Sequence, residues 1–393
     1  MSGGRRPGYP AAAGVFAVGM AGTTLPTPLY GRYQEQIGFS ELMVTVVFAV
    51  YAVAVILVLL LAGNYSDTAG RRPVLLCALA LSAGSAGCFL LQSGLPLLFA
   101  GRLLSGGAAG LLSGAATAAV IELAGPRHKE RAAFAATAAN MGGLGCGPLL
   151  SGLVAQYTPW PLTLPFWIHL VLVAVAAVVA WFLPETVAVT RRWPPPAPQG
   201  VTVPPEVKGV FAPASVAAFA GFALLGLFTA VAPSFTSRTL GVHNLAVSGA
   251  VVFCVFLAST LGQYGTGRIG ARRALPVGCG VLVAGLLLVA SSLIAESLPL
   301  LVAGALCGGG GQGLAFRAAL TLISGAAPAR HRGGTISAFF VVAYAGISVP
   351  VVGVGALATW LGLRPAGLIF TGFVLVLASC AGVYAARRPP AGA

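Results

Sequence analysis

Gly63–Leu76 reads GNYSDTAGRRPVLL, and it packs two glycines, the chain's single aspartate and two adjacent arginines into one short turn. The rest of the 393-residue chain is 58% apolar and only 8% charged. Soluble domains average about a quarter charged residues, so composition excludes a water-soluble fold. The turn lies between two apolar runs, 41–62 and 73–93, each long enough to cross a bilayer as a helix at ~20 residues.

Working outward, runs of the same kind recur at 10–31, 96–121, 132–156 and 164–183, and after a break at 212–235, 246–266, 274–294, 298–323, 333–357 and 362–385. They are too long and too evenly apolar for alternating barrel strands, which leaves helices as the spanning form. The predicted fold class is all-α integral membrane: twelve transmembrane helices in two pseudo-symmetric six-helix bundles. The N-terminal half covers 1–186, a proline-rich cytoplasmic linker 187–210, and the C-terminal half 211–393. Arg5 and Arg6 ahead of the first run imitate a secretory leader, but TTLPTP and further spans follow at once, so a retained first helix is expected.

Charge placement gives the orientation. With a cytoplasmic N-terminus, 17 of the 22 Lys and Arg fall in inner segments, among them Arg71, Arg72, Arg127, Lys129, Arg131, Arg191, Arg192, Arg272, Arg273, Arg387 and Arg388. Outer loops hold Arg32, Arg238 and Arg364, while Arg102 and Arg317 lie within spans. This asymmetry predicts an even span number with both termini cytoplasmic. It also accounts for the net charge of +14 without nucleic acid, which is not expected as a partner. The halves echo each other: Pro126 and Pro328, like Pro148 and Pro350, are 202 residues apart, and Arg71-Arg72 and Arg272-Arg273 are 201 apart. Parallel repeats of this kind are one way transporters are built.

The turn resembles the G-x-x-x-D-x-x-G-R-R/K signature of the major facilitator superfamily through Gly63, Asp67, Gly70, Arg71 and Arg72. Arg102 in GRLLSGGAAG is similar to the family's fourth-helix arginine. GLGCGPLLSG, with Gly143, Gly147, Pro148, Ser151 and Gly152, resembles the fifth-helix signature that the family links with drug/proton antiporters. Small residues at that spacing also suit close helix packing. The resemblance implies that Arg71 meets Glu122 and that Asp67 faces the backbone N–H groups near Thr335, where a helix start favours an anion. Such contacts would close the inner side and break as it opens. It also implies a central cavity lined by the first, fourth, seventh and tenth helices.

Candidate cavity residues, for proton coupling or substrate, are Arg102, Thr23, Thr24, Asn140, Phe222, Thr229, Gln312, Arg317 and Tyr344. No Asp or Glu falls at mid-span. Intramembrane ionisable residues are functional candidates by default, and here these are Arg102, Arg317 and His169. The seven cysteines lie in apolar stretches with no metal or disulfide spacing and read as small core residues. No Walker GxxxxGK[ST] and no GxSxG occurs. Neither enzyme chemistry, direct ATP drive, a metal nor any cofactor is therefore expected.

The expected function is proton-coupled efflux of lipophilic neutral or anionic small molecules by alternating access. The expected protein is a monomer in the lipid bilayer of the cell membrane. Alternatives are an uptake symporter for a small organic metabolite and a non-transporting receptor or sensor.

Overall fold

The computed structural model describes residues 8–91, 94–190 and 200–387. Arg5, Arg6, Arg191, Arg192, Arg388 and the middle of the proline-rich linker lie outside the described residues. Among the described residues every regular element is helical. Twelve long helices run α1 (Tyr9–Thr24), α2 (Glu41–Ala62), α3 (Arg71–Leu91), α4 (Leu95–Ala124), α5 (Lys129–Tyr157), α6 (Leu164–Phe182), α7 (Pro205–Thr239), α8 (Leu245–Ile269), α9 (Ala271–Ala295), α10 (Leu298–Ala326), α11 (Arg332–Leu361) and α12 (Leu363–Arg387).

Ten of these are long and apolar enough to cross a membrane by length and composition. The other two are α1 and α5. The span expected at 10–31 does not form one helix: α1 stops at Thr24, a 3-10 turn covers Thr27–Leu29, and Tyr30–Ile37 is a separate short helix. Pro26 and Pro28 lack the N–H groups that would continue it. α5 is rich in Gly and Ala, so its apolar surface per residue is small. The seventh helix begins inside the segment read as linker, at Pro205, and contains two wide π-type turns at Leu227–Val231 and Phe235–Thr239.

Packing repeats with a shift of six helices. α1 packs on α4, α5 and α6, and α7 packs on α10, α11 and α12. α4 packs on α2 and α3, and α10 on α8 and α9. Between the sets the main contacts are α5 with α8 and α2 with α11, again exchanged by the same shift. Local chemistry follows the repeat. α4 and α10 both open on Leu-Pro-Leu-Leu, with proline in the first turn where its missing N–H costs nothing. Gly70 before α3 and Gly270 before α9 both take positive φ, 100° and 82°.

Tight contacts between the sets cluster at the end away from the Gly63–Arg72 turn, hereafter the far end. There a Cβ on Gly355 of α11 would strike Thr45 of α2, and one on Gly152 of α5 would strike the Leu245 carbonyl of α8. The Leu245 N–H donates to Gln156 Oε1 at 2.9 Å. The far end is therefore sealed across the two halves.

Candidate transport cavity and signature loop

α1 ends at Thr24, so the Thr23 carbonyl lies in its last turn, where carbonyls lack a partner four residues on. Arg102, in the second turn of α4, donates Nη1 to that carbonyl at 2.5 Å. Its guanidinium lies 5.2 Å from the Phe48 ring centroid and 5.0 Å from that of Tyr51, within cation–π range. Arg102 is 1% exposed.

A cavity of about 430 Å³ lies between the halves and includes Arg102 in its wall. Thr23, Thr24, Asn140, Phe222, Thr229, Arg317 and Tyr344 line it too, and its wall extends along α4 to Ile121 and along α10 to Ser324, toward the end that carries the Gly63–Arg72 turn. The cavity is thus open at the signature end and closed at the far end.

Gln312 is placed elsewhere. It is 0% exposed and accepts from the Ser259 hydroxyl at 2.6 Å. The glycines around it explain this: a Cβ on Gly309 or Gly313 would strike α8, and one on Gly311 would strike α9, so the helices close around Gln312 and its amide turns to Ser259 between helices instead of into the cavity. Gln263 on α8, one step from Ser259, reaches the cavity instead. Sequence reasoning also missed Phe48 and Tyr51, because α2 was not among the helices expected to line the space. His169 is buried against the Ser82 hydroxyl at 3.0 Å, away from the lumen.

The fifth-helix glycines act as contact points. A Cβ on Gly143 or Gly147 would run into the Ala17 or Ala21 carbonyl of α1, while the Pro148 carbonyl meets Gly249 of α8. α5 thus packs backbone to backbone with a helix of each half.

At the signature end Arg71 is buried and makes a two-pronged contact with Glu122. Nη2 donates to Oε1 at 2.9 Å and Nε to Oε2 at 3.2 Å. Nη1 donates to the Ser66 hydroxyl at 2.6 Å and pairs with Asp67 at 2.5 Å. Glu122 sits in the last turn of α4, an unfavourable place for an anion that the guanidinium offsets.

Asp67 does not face α11. It turns back to Arg71, and the Thr335 hydroxyl donates to the Thr202 carbonyl at 3.1 Å. With this end open, the irregular segment that enters α7 takes the place expected for Asp67. The Arg71–Glu122 pair joins two helices of one half and is formed in the open state, so it cannot clasp one half to the other.

Glu185, just past α6, is the residue the sequence did not single out. Its two oxygens accept from the backbone N–H groups of Arg71 at 2.8 Å and Arg72 at 3.1 Å, filling the anion site of the α3 N-terminus. A Cβ at Gly70 would lie 2.6 Å from its Oε2, so only glycine lets the carboxylate approach. Thr186 donates to Glu122 at 2.5 Å, and the Thr190 N–H donates to the Thr68 carbonyl at 3.1 Å. The Arg72 guanidinium lies over Trp181 at 4.7 Å. A readable signal was present: an acid one turn past the sixth span, near unpaired N–H groups at a helix start. Glu185→Ala is expected to lower the melting temperature in detergent more than Asp67→Asn does. The first removes a cap worth about 1–2 kcal/mol. The second removes a pair whose carboxylate is 55% exposed, of a kind worth ~0–1 kcal/mol.

Two pseudo-symmetric six-helix bundles around a cavity sealed at one end define a polytopic membrane transporter, not an enzyme. The chain belongs to the Major Facilitator Superfamily, whose profile matches residues 11–349. It is 34% identical over 152 residues to the class D tetracycline resistance protein of Salmonella ordonez, a match covering 38% of this chain and 37% of that relative. Among solved structures it resembles the human organic anion transporter MFSD10 (TM-score 0.65, 17% identity, 97% of this chain and 100% of that one). A bacterial homologue of the human lysosomal transporter Spinster, inward-facing and unoccupied, aligns with TM-score 0.71 at 13% identity over 99% of this chain and 100% of that one. A POT family transporter in complex with a thioalcohol-conjugated peptide aligns with TM-score 0.75 at 12% identity over 96% and 95%.

Proposed function

We propose that this chain is a proton-coupled exporter, working as a monomer in the cell membrane with both termini cytoplasmic. It would take a lipophilic neutral or anionic small molecule from the cytoplasm by alternating access. The observation that carries the reading is the cavity between the halves, open at the signature end and sealed at the far end. On the orientation expected from the basic residues, this state faces inward, ready to load from the cytoplasm. The lining is mostly aromatic and aliphatic with a few convergent polar groups, the usual character of a small-molecule site. The fifth-helix pattern and the partial likeness to a tetracycline resistance protein favour export and a role in drug resistance.

A second reading is a proton-coupled uptake symporter for a small organic metabolite. It is kept because the glycines of the fifth-helix pattern are all occupied in packing against α1 and α8, a role independent of transport direction. Membrane vesicles of both orientations, loaded with neutral and anionic lipophilic fluorophores under an imposed pH gradient, separate the two. Accumulation in inverted vesicles with an acidic interior, abolished by a protonophore, is the expected result. Accumulation in right-side-out vesicles driven by external acid would overturn export in favour of uptake.

A further inference from the structure

Arg102 is a cation without a counter-ion. It is 1% exposed, and its Nε and Nη2 have no hydrogen-bond partner. No aspartate or glutamate lines the cavity that it borders. A buried charge normally carries a partner, because desolvation costs several kcal/mol per ion, and a donor left unpaired adds to that cost.

The two unpaired atoms are adjacent. Nη1 is committed to the Thr23 carbonyl, and the rings of Phe48 and Tyr51 hold the guanidinium from the side. What remains free is the Nε/Nη2 edge, two parallel N–H groups that match the two oxygens of a carboxylate. The same molecule shows this edge in use: Arg71 holds Glu122 through Nε and Nη2. Arg102 lines the cavity, and in it the same edge is left uncommitted.

The rest of the cavity fits an apolar body. Phe222 packs against Phe316 at 5.2 Å and against Tyr344 at 5.7 Å, forming an aromatic wall contributed by the other half. A second cation, Arg317, lines both the cavity and the adjoining opening between α5, α8 and α10. Arg268 and Glu130 line that opening too, so it carries two cations to one carboxylate, a net positive charge that draws an anion inward. One fork at the floor neutralises one charge; a dianion would remain in excess there, and an organic cation would find no partner.

We propose that the cargo is an amphipathic monocarboxylate, its carboxylate seated on Nε and Nη2 of Arg102 and its apolar body on the Phe222–Phe316–Tyr344 wall. This rests on the central cavity being the transport site and narrows the neutral-or-anionic class to one chemistry. It also gives each half one part of the ligand, so that binding couples the two.

The test is equilibrium binding to the purified full chain in detergent at neutral pH, with no gradient. Three isosteric probes are used: 2-naphthoate, its primary amide and 2-naphthylmethylammonium. The carboxylate is expected to bind at least about tenfold tighter than the amide, as for a hydrogen-bonded charge pair, and the ammonium not at all. Arg102→Gln should bring acid and amide to equal affinity, and Arg102→Lys should restore only part of the preference, since an ammonium offers no fork. Equal binding of acid and amide to the unaltered protein would overturn the proposal, and needs no variant to fold. So would an acid preference that survives Arg102→Gln. Binding without a gradient is blind to transport direction, so uptake in the vesicle assay would leave this result standing. Vesicle export of neutral cargo with no acid preference would sink this proposal alone.

Discussion

Arg71→Gln is expected to destabilise the protein by about 3 kcal/mol, the lower end of the cost of breaking a buried ion pair. The lower end applies because Glu122 keeps 33% of its side chain exposed and can partly rehydrate. Arg71 itself is nearly enclosed and serves Glu122, Asp67 and Ser66 at once. The loss falls where α3, α4 and the segment after α6 meet, so the signature end should loosen before the far end.

Melting temperature in detergent and protein level in membranes read the effect. The decisive comparison is the double variant. If the cost is chiefly an orphaned carboxylate, adding Glu122→Gln to Arg71→Gln should recover most of the lost stability. A double variant as unstable as the sum of the singles would show that Arg71 acts through something other than Glu122. Arg71→Lys should fall between, because an ammonium keeps the charge and loses the two-pronged geometry.

Hydropathy made the twelve helices legible, since each needs only a run of apolar residues. The departures have local causes. Pro26 and Pro28 divide the first span, and in doing so expose the Thr23 carbonyl that Arg102 uses. The partnership of Arg71 with Glu122 came from family resemblance and not from spacing, because 51 residues separate them. Glu185 is 114 residues from Arg71; its place just past the sixth span is visible in the sequence, but which helix start it will meet is not. Gln312 shows the opposite failure. It lies four residues before the cavity residue Phe316, so helix periodicity puts it on the lumen side. The surrounding glycines draw α8 and α9 in around α10, so the Gln312 amide is taken up by Ser259 and stays out of the cavity wall. Residue type is visible in a sequence, but the space left beside it depends on which backbones close up around it.

The far end offers the contact that does cross between the halves. Arg238, at the end of α7, pairs with Glu41 at the start of α2 at 2.5 Å and donates to Gln34 Oε1 at 3.4 Å. The Ser234 hydroxyl donates to the second Glu41 oxygen at 3.3 Å. The Glu41 side chain is only 17% exposed, so the pair is better shielded than an ordinary surface pair. If the halves rock, these groups must separate each time the far end opens and meet again each time it closes.

Glu41→Gln is expected to weaken the closed state by about 1 kcal/mol, the scale of a partly exposed pair. Glu41→Arg places two cations face to face and should shift the population strongly toward a far-end-open state. A cysteine introduced at Ser248, beside that end, would then react faster with an impermeant maleimide, and transport should fall by about tenfold. The exchanged pair, Glu41→Arg with Arg238→Glu, restores attraction with the direction reversed. It should slow labelling again and return most of the transport rate. An exchanged pair that folds normally yet labels and transports like Glu41→Arg alone would mean that these charges do not govern closure. The seal would then belong to the glycine contacts, Gly152 against the Leu245 backbone and Gly355 against the Thr45 side chain, where no charge takes part.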